Sequence, residues 1–189
     1  IDVLSEKERF LEAADEIRWH PAHMKSRYIS WVENLKWDWC ISRQRYFGVP
    51  FPVWYCKSCK EPVFAEEDRL AVNPAEEGPG KACRCGCREF IPETAVFDTW
   101  ATSSVSPLIN ARYKEADDRS GEILPMGMRH QAHEIIRTWA FYTIVRSLYH
   151  TGSIPWKDIM ISGFVLAKPG EKISKSKSNG GLSPMELIE

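Results

Sequence analysis

The sequence lacks three features that would assign it to a common protein class. No apolar run approaches the length of a membrane span, and no signal peptide is visible at the N-terminus. It also lacks an excess of charge, since the formal net charge is -1, which argues against a protein whose main task is to wrap nucleic acid. No internal repeat is present. We therefore expect a cytoplasmic protein that neither contacts a membrane nor forms an oligomer.

The chain does contain enough apolar material for a folded core. Hydrophobic residues make up 43% of its 189 residues and eight residues are Trp, a composition typical of a globular protein. Near the C-terminus, Ser183, Pro184 and Glu186 predict a helix that has hardly begun when the sequence stops. Because the chain also starts at Ile1, we expect it to be an internal fragment of a longer protein.

Hydrophobic periodicity predicts an α/β fold with a parallel sheet. The expected elements are two helices between residues 5 and 35, strands at 39–42, 51–55, 123–128 and 158–166, and a long helix at 133–149. Ligands of such sheets lie at the carboxyl ends of the strands. The segments expected there are 98–100, where Asp98 is expected to open a short helix, the entry to the helix at His133, and 172–177.

Five cysteines lie in a loop-rich insert that has few apolar residues to hold it together. Their pattern is that of two thiolate knuckles of a zinc ribbon, Cys56-x-x-Cys59 and Cys83-x-Cys85-x-Cys87. For the second knuckle we favour Cys83 with Cys85, because Gly86 follows where a knuckle has glycine. The pairs Cys83 with Cys87 and Cys85 with Cys87 stay open. Disulfides are the alternative, which the absence of a signal peptide disfavours. Cys40, in an apolar segment, is expected to be buried.

A loop rich in lysine and serine follows the Pro169-Gly170 turn. Ammonium groups supply point charges to phosphates, and hydroxyl and backbone N–H groups supply directed donors. The candidates for phosphate binding are Lys172, Ser174, Lys175 and Ser176. A solvated, charged surface loop is the alternative interpretation.

Three segments together resemble the valine/isoleucine/leucine group of class I aminoacyl-tRNA synthetases, namely 39–45, 98–100 and the KMSKS-like loop 172–177. Two more, 131–139 and 154–163, are similar to the valine-specific members of that group. The resemblance covers essentially the whole chain. It implies the end of an inserted editing domain in 1–38, the C-terminal half of a Rossmann-type catalytic domain in 39–54 and 93–189, and a zinc-ribbon-like insert in 55–92.

The resemblance also implies the amino-acid site. Trp100, Ile135 and Trp139 match the apolar wall around the valine side chain, and Glu134 matches an acidic position near the valine ammonium group. Plain core packing is the alternative for Ile135 and Trp139.

For ATP, the resemblance implies that Lys172 and Lys175 stabilise the phosphates while the α-phosphate is attacked, with Ser174, Ser176 and Gly163 in the same site. The loop departs from the family pattern at Ile173, where Met is usual, and at Ser178, where Gly is usual. The first change keeps an apolar side chain of similar size, and the second removes a flexible position from the loop.

The implied activity belongs to the longer protein. It uses ATP with Mg²⁺ to convert valine to valyl-adenylate and then transfers valine to tRNA(Val). We expect the fragment alone to be inactive because the half with the HIGH signature is absent. The pair His130 and His133 is superficially similar to that signature but lacks its glycine. Two alternatives stay open, an isoleucyl or leucyl enzyme and a zinc-ribbon module that binds nucleic acid without chemistry.

Overall fold

A three-stranded parallel sheet organises the larger part of the chain. The computed structural model describes residues 1–163, 166–173, 179–180, 185 and 188, with Lys172 described by its backbone alone. Strand β8 (Trp156–Ser162) lies at the centre of the sheet, between β1 (Arg18–His20) and β7 (Met126–Ala132), and pairs in parallel with both. The predicted α/β fold with a parallel sheet is confirmed.

The main core forms where three helices cover this sheet. These helices are α1 (Lys7–Glu16), α2 (Lys25–Glu33) and α6 (Phe141–Thr151). Phe10 and Ile159 are fully buried in the core, and the Phe10 ring meets Phe141 edge to face at 5.7 Å. Helix α6 ends at Gly152, whose φ of 74° is the left-handed conformation that glycine adopts without strain.

Several predicted elements differ from the structure. The helix expected at 133–149 is a 3₁₀ turn (His133–Ile135), a π turn (Ile136–Ala140) and only then α6. The strand expected at 123–128 begins at Met126, after the one-turn helix α5 (Ser120–Ile123). Strand β1 was not predicted, because three residues are too few to show a two-residue period. The period therefore located these elements but not their limits.

The strand expected at 39–42 is mostly absent. Only β2 (Ser42–Arg43) forms, paired with β6 (Val96–Phe97), because Trp39 bonds through its backbone to Ile1 instead of to a strand. As a result the expectation for Cys40 is wrong: Cys40 is exposed, and its Sγ lies 3.4 Å from Ser42 Oγ.

The cysteine-bearing insert forms a separate antiparallel sheet. Its strands are β3 (Val53–Cys56), β4 (Pro62–Phe64) and β5 (Phe90–Pro92), in the order β4-β3-β5. The buried Trp54 indole donates to Glu77 O at 2.8 Å and so fastens the long loop to β3. The domain limits at 38, 54 and 92 stay predictions.

Short elements complete the described chain. Helices α3 (Thr99–Ser103) and α4 (Ser106–Asn110) lie between β6 and α5, and 3₁₀ turns occupy Ala22–Met24 and Glu67–Arg69. The strand expected at 158–166 is β8, and strands β9 (Leu166–Lys168) and β10 (Glu171–Lys172) form a hairpin around the predicted Pro169-Gly170 turn. The predicted capping residues Ser183, Pro184 and Glu186 lie outside the described residues. Among the helices described, none is long and apolar enough to cross a membrane.

Candidate functional site

One of the predicted site segments, the entry to the helix at His133, lies at the carboxyl edge of the parallel sheet. Ala132, the last residue of β7, pairs in register with Ser162, the last residue of β8. Gly163 and the turn that carries Glu134 therefore leave the sheet at the same edge. This is the edge at which parallel α/β sheets bind ligands.

A cavity of about 590 Å³ opens beside Glu134. Its lining residues come from α2 and from the turns after β7, and they are Ser26, Arg27, Ser30, Trp31, His133, Glu134, Ile136 and Arg137. The cavity places one carboxylate near two guanidinium groups. Such a site offers partners to both charged ends of a zwitterion. The sequence analysis missed Arg27 and Arg137, since nothing in the local pattern shows that α2 lies against this edge.

Asp98 joins two of the segments on which the resemblance rests. Its side chain is 4% exposed and accepts three hydrogen bonds, from Trp39 Nε1 at 3.1 Å, Arg43 Nη2 at 2.7 Å and Trp100 N at 3.1 Å. The bond from Trp100 caps α3 and confirms that Asp98 opens a short helix. Because a buried carboxylate needs such partners, Asp98 fixes the start of the helix that carries Trp100. The sequence predicts that Asp98 opens a helix, but it gives no sign of this bridging role.

Trp100, Ile135 and Trp139 are each half-buried, whereas their neighbours Ile136 and Ala140 are buried in the core. Trp139 Nε1 lies 3.4 Å from Ser103 O, one turn along α3 from Trp100. The two tryptophans are thus associated with the same short helix. Part of each side chain is therefore open to a ligand, while Trp100 also packs against the main core.

The residues that flank the lysine-rich loop on both sides are described by the structure. Gly170, with φ of 78°, makes the turn into β10, and Asn179 Nδ2 donates to Glu171 Oε1 at 2.8 Å. That bond holds the two ends of the loop together. Lys172 lies at the end of β10, while Ser174, Lys175 and Ser176 fall outside the described residues.

A second candidate site lies in the insert, where four thiols converge. The sulfurs of Cys56, Cys59, Cys83 and Cys85 lie within 4.8 Å of one another, with the closest pairs at 3.4 and 3.6 Å. A tetrahedral Zn–S₄ centre has sulfurs roughly 3.8 Å apart, given Zn–S bonds of about 2.3 Å. All four are free thiols, and these distances far exceed a disulfide bond. The cluster can hold a metal ion.

Cys87 takes no part in this cluster. Its Sγ instead accepts a hydrogen bond from Glu89 N at 3.4 Å, and its carbonyl accepts one from Cys83 N at 2.9 Å. Backbone N–H donation from Cys59 lowers the pKa of the Cys56 thiol to about 6, which favours the thiolate form that binds metals. The four cysteines that the structure groups are therefore the four that the sequence favoured as metal ligands.

Comparison with known proteins gives one family for the whole chain. The model of the family "tRNA synthetases class I (I, L, M and V)" matches residues 1–189. Valine–tRNA ligases from three organisms are similar over nearly all of the chain: 45% identical in Methanothermobacter thermautotrophicus, 49% in Methanosarcina mazei and 47% in Rickettsia conorii. Those matches cover 100%, 99% and 100% of this chain and 22%, 22% and 24% of the relatives. The chain thus spans about a fifth to a quarter of their length.

A solved structure has a similar fold. It is the ternary complex of Agrobacterium radiobacter K84 agnB2 LeuRS with tRNA and LeuAMS, with a TM-score of 0.61 at 23% sequence identity. The match covers 80% of this chain and 22% of that one. At this level of identity the comparison concerns the fold alone.

Proposed function

We propose, because the chain belongs to the class I tRNA synthetase family of isoleucine, leucine, methionine and valine enzymes, that it is part of the catalytic domain of a valine–tRNA ligase. The observation that carries the proposal is the 45–49% identity, over 99–100% of the chain, to valine–tRNA ligases of archaea and bacteria. The region would be the C-terminal half of that domain, with a zinc-ribbon-like insert and, in residues 1–38, the end of an editing domain.

The reaction is the activation of valine followed by transfer to tRNA(Val). A carboxylate oxygen of valine attacks the α-phosphorus of ATP, pyrophosphate leaves, and valyl-adenylate forms. Glu134 would pair with the valine ammonium group, and Trp100, Ile135 and Trp139 would surround the side chain. The cavity beside Glu134 supports the role of Glu134, and partial exposure supports the role of the other three, which do not line that cavity.

Such a pocket explains the need for editing. A dry pocket with aromatic walls excludes isoleucine by size, but it rejects threonine, which has the shape of valine, by only about a hundredfold. The longer protein therefore needs a second site that removes the wrong product. Residues 1–38 would form the link to that site.

The phosphates of ATP would be held on the other side of the same edge. Gly163, which follows β8 directly at this edge, would lie in the same site. Lys172 and Lys175 would neutralise charge on the leaving pyrophosphate, and Ser174 and Ser176 would donate hydrogen bonds. Mg²⁺ would arrive with ATP as part of the substrate.

Zinc is the metal that suits the four thiols. Thiolate ligands in a closed set of four are typical of structural zinc, and the sulfur spacing fits that ion. Bound zinc supplies folding energy to the insert. Cys56, Cys59, Cys83 and Cys85 would be its ligands, and no step of the reaction depends on it.

Amino-acid-dependent pyrophosphate exchange by the full-length protein tests the proposal. Valine should support exchange, and leucine and isoleucine should not reach a comparable kcat/KM. Faster exchange with isoleucine or leucine would assign the protein to another member of the group. No exchange, together with salt-dependent nucleic-acid binding in gel shifts, would favour the non-catalytic zinc-ribbon alternative. The 189-residue chain alone should show no exchange.

A further inference from the structure

Arg129 lies between two tryptophan rings, those of Trp139 and Trp156. Its guanidinium carbon is 3.6 Å from the centroid of the Trp139 ring and 4.4 Å from that of Trp156. Trp156 is buried in the main core, and Arg129 is a residue of the neighbouring strand β7. A single cation that lies against two aromatic faces at these distances is held by the quadrupoles of both rings and by stacking.

The surroundings of Arg129 offer it little besides the two rings. Its Nη1 is buried with no hydrogen-bond partner among the described residues, and its Nη2 reaches Ser106 Oγ only at 3.5 Å. None of the ion pairs in the described part of the chain includes Arg129. Burial lowers the pKa of Arg129 to about 10, so it stays protonated at neutral pH. A buried cation without a carboxylate is costly, and stacking is the compensation that the structure shows.

Trp139, in turn, needs a second contact to fix its ring. Its indole N–H makes a long hydrogen bond of 3.4 Å to Ser103 O. The residue also belongs to the π turn Ile136–Ala140, whose wider backbone spacing differs from that of a regular helix. Arg129, at 3.6 Å, is thus the close partner on one face of the ring.

We propose that Arg129 is a positioning residue that sets the orientation of the Trp139 ring and so the width of the valine pocket. The inference rests on the proposed function, in which Trp139 is a wall of that pocket. Arg129 itself does not touch the amino acid. Its effect reaches the substrate only through the Trp139 ring. The proposal can therefore be tested by asking whether substitutions at Arg129 and Trp139 are energetically coupled.

The test is a double-substitution cycle in the full-length protein, read by valine-dependent pyrophosphate exchange. Arg129→Gln removes the cation, and we expect it to raise the KM for valine roughly 10-fold while kcat and the KM for ATP change by less than about 3-fold. Arg129→Lys, which keeps the charge but not the planar group, should recover part of the loss. In a Trp139→Leu background, Arg129→Gln should have no further effect.

Controls separate this account from a general loss of structure. Arg119→Gln, which removes an exposed arginine paired with Glu122, should leave every parameter unchanged. Unchanged melting temperatures would show that the Arg129 variants fold. An unchanged KM for valine in Arg129→Gln, or fully additive effects of Arg129→Gln and Trp139→Leu, would overturn the proposal.

A second readout does not depend on the activity. The near-ultraviolet circular dichroism of Arg129→Gln should differ from that of the unsubstituted protein, and most of the difference should be lost when Trp139 is Leu, the remainder coming from Trp156. A difference of undiminished size without the Trp139 ring would overturn the positioning role. Absence of valine-dependent exchange by the unsubstituted protein would instead overturn the proposed function, so the two failures are distinguishable.

Discussion

In the parallel-sheet region, helices α1, α2 and α6 bury a continuous set of aromatic and aliphatic side chains against β1, β7 and β8. In the insert, the buried cluster consists of Cys56, Val63 and Cys83, with Cys87 and Phe90 packed beside them. The first region has the apolar burial that stabilises an ordinary domain, whereas the second adds to its thiols only a few buried apolar side chains, Trp54, Val63 and Val72. A bound metal ion in the second would do the work that a core does in the first.

The two regions also differ in what they offer to a substrate. Gly163 and the turn that carries Glu134 leave the parallel sheet at its carboxyl edge, and the four thiols are grouped among themselves in the insert. We therefore expect changes in the insert to act on folding and changes at the sheet edge to act on chemistry.

The largest effect should come from breaking the thiol cluster. Cys56→Ser should abolish zinc binding, measured by elemental analysis as a fall from about one ion per chain to none, because three ligands cannot close the site. Structural zinc contributes about 10–16 kcal/mol of binding free energy to folding, so the insert should unfold.

Two other cysteines are the matched controls for that variant. Cys87→Ser and Cys40→Ser should keep the full zinc content, since neither sulfur belongs to the cluster. Loss of metal in Cys87→Ser would show that the second knuckle uses Cys87, and halved metal in Cys40→Ser would show that Cys40 is a ligand.

A smaller effect is expected from a cavity in the main core. Ile159→Ala, at a fully buried position of β8, should lower the free energy of unfolding of the sheet region by about 2–5 kcal/mol in urea. Zinc content should not change. Met160→Ala is the control, because its side chain is 43% exposed and should cost far less. Equal losses at the two positions would contradict the assignment of this core.

In the KMSKS-like loop we expect a kinetic effect without a change in stability. Lys175→Ala in the full-length protein should slow adenylate formation by roughly one to three orders of magnitude, because the ammonium group acts on charge that develops in the transition state. Valine affinity should barely change. Single-turnover kinetics would contradict this role if they gave a normal chemical step with weakened valine binding.

The smallest effect is expected from an ion pair that links the outer strand β1 to the central strand β8. Arg18 Nε donates to Asp158 Oδ1 at 2.9 Å and His20 Nε2 lies 2.8 Å from the same oxygen. The Arg18 guanidinium, and after it His20, hold the pKa of the Asp158 carboxyl well below its usual range.

A lowered pKa in the folded state makes stability depend on acid pH. The contribution of Asp158 is complete above about pH 4, the value for an unfolded Asp, and is lost as the pH falls towards the lower folded value. In Asp158→Asn, the melting temperature should therefore decrease less steeply as the pH falls below 4. The exposed Glu12→Gln should leave that slope unchanged, and a slope for Asp158→Asn equal to that of the unsubstituted protein would count against the pair.

Features set by neighbouring residues could be predicted from the sequence. Asp98 opens a helix as expected, because a cap depends on the two residues that follow it. The parallel sheet was predicted from apolar runs. Cys56 and Cys59 were predicted to share a metal site from the pattern Cys-x-x-Cys. Each of these signals is local.

Features set by distant partners could not be predicted. Cys40 is exposed because Trp39 pairs with Ile1 and no strand forms around it. The π turn after β7 and the stacking of Arg129 on Trp139 depend on how strands and helices meet. The choice of Cys85 over Cys87, by contrast, was favoured from the sequence because Gly86 follows Cys85, and the thiol cluster confirms it.

Hydrogen exchange of the full-length protein before and after chelation tests the contrast between the two regions most directly. We predict that removal of zinc abolishes protection in β3, β4 and β5 while β7 and β8 keep theirs, since only the insert depends on the metal. Equal loss of protection in both sheets, or unchanged protection in the insert after the metal has been removed, would contradict the account.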